Sequence, residues 1–206
     1  MLIVVEHPLI KVHIATLRDR ATDVDQFRRT LTALTRLLAY PVLEEIKIES
    51  REVMTPLAAA AGYRLAKEPI LVPVLRAGLG MVEGFRDLIP GSVVSHLGMY
   101  RDHETLKPVR YYTNFPAHRD DHPFLVLDPM LATGGSAVDA VDYLKHEGAR
   151  DIRLVSVIAA PEGVQLVSDR HHDVPIFTAQ LDQQLDPRGY IIPGLGDAGD
   201  RQFGTL

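Results

Sequence analysis

The sequence predicts an α/β fold, an open and mostly parallel sheet flanked by helices. Short apolar runs recur at Ile70 to Leu75, Phe124 to Leu127, Ile152 to Ala159 and Val174 to Ala179. Each is too short for a helix and apolar on successive residues, as strands buried on both faces are. Amphipathic segments of helical period alternate with them, so parallel pairing with right-handed crossovers follows. The loops leaving the first two runs, RAGLG after Leu75 and PMLATGGS after Asp128, are made largely of small residues. They leave the carboxyl ends of strands, where open α/β sheets hold ligands.

Taken in order, residues 1–21 read as an arm with a short strand or a helix. A helix follows from Asp23 or Asp25 as N-cap to Ala39, with Phe27, Leu31, Leu34 and Leu38 forming a stripe for the core or for an oligomer face. Pro41 and Pro56 bracket Val42 to Val53, where Ile46 and Ile48 alternate with charge, an exposed strand or a mixed connection. Ile70 to Leu75 is a buried strand, ended by Arg76 and followed by a helical stretch through Leu88. Ser92 to Gly98 is a further short strand. The polar and aromatic run MYRDHETLKPVRYYTNFP, with Pro108 near its middle, reads as two extended arms of a projecting flap at 101–115. Gly135 to Glu147 is a helix with Val138, Val141 and Leu144 inward, stopped at Gly148. Pro161 starts another at its first turn.

The stretch FLVLDPMLATGGS organises the chemistry. Its strand stops at Asp128, because Pro129 cannot continue a central strand. Small residues then let backbone N–H groups converge on an anion, and the next helix adds its unsatisfied donors and positive dipole end. Thr133 and Ser136 add hydroxyls, and Asp128 suits sugar hydroxyls or a hydrated magnesium ion. A sugar phosphate satisfies both halves. Gly135 and Ser136 stand where a P-loop needs its Lys, and the dinucleotide fingerprint is missing at this strand end, so neither ATP hydrolysis nor NAD binding is supported.

Composition narrows the classes. The 206 residues are 46% hydrophobic and 24% charged, enough for one well-filled core, and one domain spanning 1–206 is expected. A formal net charge of -5 invites neither nucleic acid nor an anionic membrane. Without cysteine there are no disulfides or thiolate zinc sites. With no signal-peptide pattern and no apolar run of membrane length, a soluble cytoplasmic protein is expected. The nine histidines include no H-E-x-x-H, so no protein-held metal is expected.

Asp128 to Ser136 resembles the phosphoribosyl-diphosphate (PRPP) motif of the type I phosphoribosyltransferases. Pro129 in place of a second acidic residue is similar to the uracil phosphoribosyltransferase branch. VPVLRAGLGM resembles that family's pyrophosphate loop, and YIIPGLGDAGDRQFGT its base-reading segment. The resemblance implies the type I phosphoribosyltransferase fold, with a flap at 101–115 and a C-terminal base-binding tail at 186–206. It implies PRPP binding by Arg76, Arg101, Asp128, Pro129, Met130, Leu131, Ala132, Thr133, Gly134, Gly135, Ser136 and Asp197. Uracil would meet Ile191, Gly196, Asp197 and Ala198. Arg76, Arg101 and a Mg ion carried by PRPP and water would answer the pyrophosphate charge. Asp197 would orient the base or receive its proton through water. An unusual, cis-type peptide near Arg76 is implied as well. Dimers or larger homo-oligomers and a GTP effector occur among family members. An orotate or purine enzyme would not carry YIIPGLGDAGD, and an RNA-binding descendant would want a basic face.

Overall fold

The structure, a computed structural model, describes residues 1–101, 108–114 and 121–205. In chain order it comprises β1 (Leu2–Val4), α1 (Pro8–Arg18), α2 (Val24–Leu43), β2 (Ile48–Met54), β3 (Ala59–Leu65), β4 (Ile70–Leu75) and α3 (Leu79–Arg86). There follow β5 (Val93–Val94), β6 (Leu97–Arg101), β7 (Pro108–Thr113), β8 (Pro123–Leu127), β9 (Met130–Leu131), α4 (Gly135–His146) and β10 (Asp151–Ala159). The chain continues through α5 (Pro161–Arg170), β11 (Ile176–Leu181), β12 (Gln184–Leu185), β13 (Ile191–Ile192) and α6 (Ala198–Phe203).

Among the described residues the main sheet has nine strands in the order β1-β11-β10-β8-β4-β6-β7, with β5 on β4 and β9 on β10. Every pairing is parallel except β6 with β7. The strands form because their side chains serve both faces. On β8, Leu125 and Leu127 join the core under α1, α2 and α3, while Phe124 and Val126 face α4 and α5. Both sets are almost fully buried. The expected α/β class with a mostly parallel sheet is the observed one.

The arm at 1–21 holds both alternatives, a strand and then a helix. Asp23 is the N-cap of α2 and accepts from Gln26 N–H at 2.8 Å. Phe27, Leu31, Leu34 and Leu38 are buried in the core of the chain itself. The helix does not stop at Ala39 but runs through Pro41 to Leu43. Val42 is buried, and its carbonyl, one of the last of the helix and without an intrahelical partner, accepts from Arg153. The expected strand after Ser92 is split in two around Ser95, whose N–H is held by Leu71 O at 2.8 Å. The last buried strand starts at Ile176 rather than Val174, since Pro175 offers no N–H to the ladder. After the break at Pro129 the chain returns to the sheet as β9, where the sequence predicts a loop. Pro129 O accepts from Val157 and Ile158 N–H at 3.1 and 3.0 Å.

The two extended arms expected there are β6 and β7, which pair antiparallel. The rest of that segment, including Lys107, lies outside the described residues. The exposed segment after Pro41 becomes β2, paired antiparallel with β3 in a hairpin apart from the main sheet.

Candidate active site

The carboxyl ends of β4, β8 and β10 and the chain after β11 enclose a cavity of about 890 Å³. Arg76 and Ala77 line it from the first loop, Asp128, Met130, Ala132 and Ser136 from the second, and most of the residues between Asp186 and Gly199 from the third.

The first loop opens with a cis peptide between Leu75 and Arg76. The Arg76 guanidinium pairs with Asp200 at 3.0 Å and lies 5.9 Å from the centre of the Phe203 ring. The Thr205 hydroxyl, at 2.6 Å, and then Arg76 hold the Asp200 carboxyl below its ordinary pKa.

The second loop is built by close backbone approach. At Gly163, the third residue of α5, a Cβ would fall 2.3 Å from Ala132 O; at Gly134, with φ of +83°, it would fall 2.8 Å from Gly163 O. Only glycine fits either position, so the loop is pressed against the start of α5. Gly134 is also the cap residue of α4 and offers no side-chain acceptor. The first N–H groups of the helix therefore face a recess of about 40 Å³, lined by Asp128, Leu131, Thr133, Gly134 and Ser136 among others. Asp128 is half-buried and accepts from Met130 N–H at 3.2 Å. Desolvation pushes its pKa up to about 6, against the Met130 N–H, and the nearby Asp197 carboxylate adds to the rise.

The third wall starts with a turn in which Asp186 accepts from Arg188 and Tyr190 N–H at 2.8 and 2.9 Å. Those bonds, Tyr190 foremost, hold the Asp186 carboxyl below its ordinary pKa. β12 and β13 pair, and the chain then turns through a cis Ile192–Pro193 peptide. Asp197 ends this wall as N-cap of α6, one oxygen accepting from Asp200 N–H at 2.9 Å.

Of the residues singled out in the sequence, Arg76, Asp128, Met130, Ala132, Ser136, Ile191, Gly196 and Asp197 line the large cavity. Leu131, Thr133 and Gly134 line the recess, and Gly135 is the first residue of α4. Pro129 is buried, and Ala198 is packed in the core at the start of α6. Arg101 ends β6, where its backbone faces Pro108. Sequence reasoning missed Ile158, Asp186 and Arg188 in the wall and Asp200 behind Arg76. Asp200 carried a signal, three residues beyond an Asp at a helix start. Together these walls offer an anion cradle, a carboxylate for hydroxyls or a hydrated cation, an arginine, and an apolar face rimmed by backbone polar groups.

Residues 4–205 match the sequence model of the family described as Uracil phosphoribosyltransferase. The chain is 49% identical over 203 residues to the uracil phosphoribosyltransferase of Finegoldia magna, covering 98% of this chain and 97% of that one. It is 50% identical over 202 residues to that of Salinibacter ruber, covering 98% and 96%. A solved structure of a protein from Aquifex aeolicus superposes with a TM-score of 0.93 at 39% identity, covering 98% of both chains. Adenine phosphoribosyl transferase from Trypanosoma brucei, at a TM-score of 0.59, 11% identity and coverage of 92% and 90%, shares the fold.

Proposed function

The chain belongs to the uracil phosphoribosyltransferase family, and from that membership we propose that it converts uracil and PRPP to UMP and pyrophosphate in pyrimidine salvage, residues 1–206 acting as one domain. The observation that carries the proposal is the single cavity in which the loop after β8, the Arg76 loop and the segment 191 to 197 meet. In this reading uracil N1 attacks C1 of PRPP as the bond to pyrophosphate breaks, and the N1 proton leaves through water. The 5′-phosphate sits in the recess at the start of α4, and Asp128 takes the ribose hydroxyls. Arg76, with Arg101 at the base of the flap, takes the pyrophosphate. Ile191, Gly196, Asp197 and Ala198 receive uracil. Asp197, oriented by its bond to Asp200 N–H, directs the base or accepts its proton through water. Rate enhancement then comes from holding two substrates in line and countering charge on the leaving group.

Mg belongs to the same proposal. Among the described residues no group of three or more His, Cys, Asp or Glu could hold a metal alone. Asp128 and Asp197 are close enough for one to raise the pKa of the other, a donor set suited to a cation that brings its own diphosphate ligands. Bound with PRPP, Mg would neutralise diphosphate charge. Activation by GTP, assembly into dimers or larger oligomers and a cytoplasmic location rest on family membership. Exposed Met54, Leu57 and Tyr63 on the β2–β3 hairpin support assembly. Among the described residues no helix is long and apolar enough to cross a membrane.

The test is UMP formation from uracil and PRPP with Mg, run beside cytosine, orotate and hypoxanthine, with EDTA as control. Magnesium-dependent turnover of uracil alone is expected. Turnover of another base, or of none, would overturn the proposal.

A further inference from the structure

We infer that the end of α1, Leu17 to Asp19, forms with Asp182 and Arg201 a positioning frame for the base-reading turn, and that Asp182 is its central member. The inference rests on the reading that residues 191–197 receive uracil. Asp182 follows β11, and its side chain is only 2% exposed. One carboxylate oxygen accepts from Gly194 N–H at 3.0 Å and the other pairs with Arg18 of α1. Arg201 of α6 donates to Leu195 O at 2.8 Å, to Leu17 O, and to Asp19 O at 2.6 Å. Its guanidinium lies 4.5 Å from the centre of the Phe27 ring. The N–H of Gly194 and the C=O of Leu195, on consecutive residues of one turn, are thus gripped by side chains anchored to Leu17 and Arg18 of α1 and to its cap residue Asp19.

The turn needs such a frame. Residues 193–197 lie between β13 and α6 and belong to neither. Gly194 has φ of +63°, and a Cβ there would fall 2.1 Å from Ile191 O. A loop whose backbone is to present donors and acceptors to a flat ligand must have its own peptides fixed from behind. Arg18, Asp182 and Arg201 are absent from the cavity wall, so they act through the turn. A buried carboxylate bonded to one backbone N–H and one guanidinium orients that N–H more firmly than a neutral acceptor would. Arg18 Nε is buried without a partner among the described residues, a desolvation cost accepted in reaching Asp182.

The experiment compares two charge-balanced double variants, since breaking a buried ion pair one-sidedly is strongly destabilising. Arg18→Met with Asp182→Asn keeps an acceptor for Gly194 N–H; Arg18→Met with Asp182→Leu removes it. KM is measured for each substrate. In the Asn variant the KM for uracil stays within about threefold of the unsubstituted value; in the Leu variant it rises at least about tenfold while the KM for PRPP moves less than about twofold. An unchanged uracil KM in the Leu variant would overturn the inference, as would a parallel rise in both KM values, the mark of general loosening. Arg201→Lys supplies an independent arm, because a lysine cannot bridge Leu195 O to both α1 carbonyls. The same uracil-selective rise is expected, and its absence would also overturn the frame. Failure of the unsubstituted protein to use uracil while it still binds PRPP would instead overturn the functional reading beneath it.

Discussion

The two halves of the cavity are built on different principles. The cradle after β8 is assembled by consecutive chain: Asp128 closes a strand, β9 returns to the sheet, and Gly134 caps α4, with one close neighbour at the start of α5. The wall proposed to read the base is held by partners far away in sequence. Arg18 and Asp182 are 164 residues apart, and Arg201 and Leu17 are separated by 184. Local construction makes a motif that is rigid and self-contained; distant construction leaves the turn dependent on the packing of α1 and α6. Each half should therefore fail in its own way.

The largest effect is expected where the distant half supplies a charge. Asp197→Asn keeps a side-chain oxygen for Asp200 N–H, so the helix cap survives. Turnover should nonetheless fall more than about a hundredfold, the scale for losing a general base or a key electrostatic group. Near-normal turnover in a steady-state assay would remove the wall's chemical role and leave it a shape. The next effect isolates the local half. Gly163→Ala drives a methyl toward Ala132 O, so the KM for PRPP should rise by about tenfold or more, with that for uracil nearly unchanged. If both rise together, the halves are not independent and the comparison breaks.

The smallest effect sharpens the contrast between ligand binding and stability within the cradle. Asp128 has a folded-state pKa of about 6 against an ordinary 3.8. Between those values the folded protein keeps a proton that the unfolded chain has released, so this group's stabilising contribution is full below about 3.8 and is lost as pH rises through 6. Asp128→Asn should become more stable than the unsubstituted protein by roughly 1–2 kcal/mol as pH rises from about 4 to 7, after discounting for partial exposure. Urea titrations at the two pH values measure it. PRPP affinity should have the opposite slope, strengthening as Asp128 ionises, and Asp128→Asn should weaken PRPP binding and flatten that slope. Equal stability curves for the two proteins would mean that the carboxyl is better solvated than its surroundings suggest.

How much could be read in advance follows the same division. Buried strands such as Ile70–Leu75 announce themselves by unbroken apolar runs, and the loop from Asp128 to Ser136 by its own small residues. Asp23 shows itself as a cap because the stripe from Phe27 to Leu38 begins just after it. The hairpin strand Ala59–Leu65 was invisible, since alanine and glycine favour no strand and neither of its faces is buried. The helix beyond Ala39 was hidden by Pro41, whose usual effect is overridden by burial of Val42. Nothing local marks Arg18 or Asp182 as partners, because an ion pair across most of the chain leaves no spacing to recognise.

The edge strand β1 lies beside β11, and the carbonyls at the end of α1 face Arg201. On the ribosome, the end of the first helix must therefore wait for some of the last residues to emerge. β4, β8 and β10 can pair, and α1 can pack on α2, while those carbonyls still lack Arg201. Arrested nascent chains of increasing length would show β10 protected before the end of α1. A chain halted short of Arg201 would carry the cradle proposed for phosphate without the frame proposed for the base-reading turn.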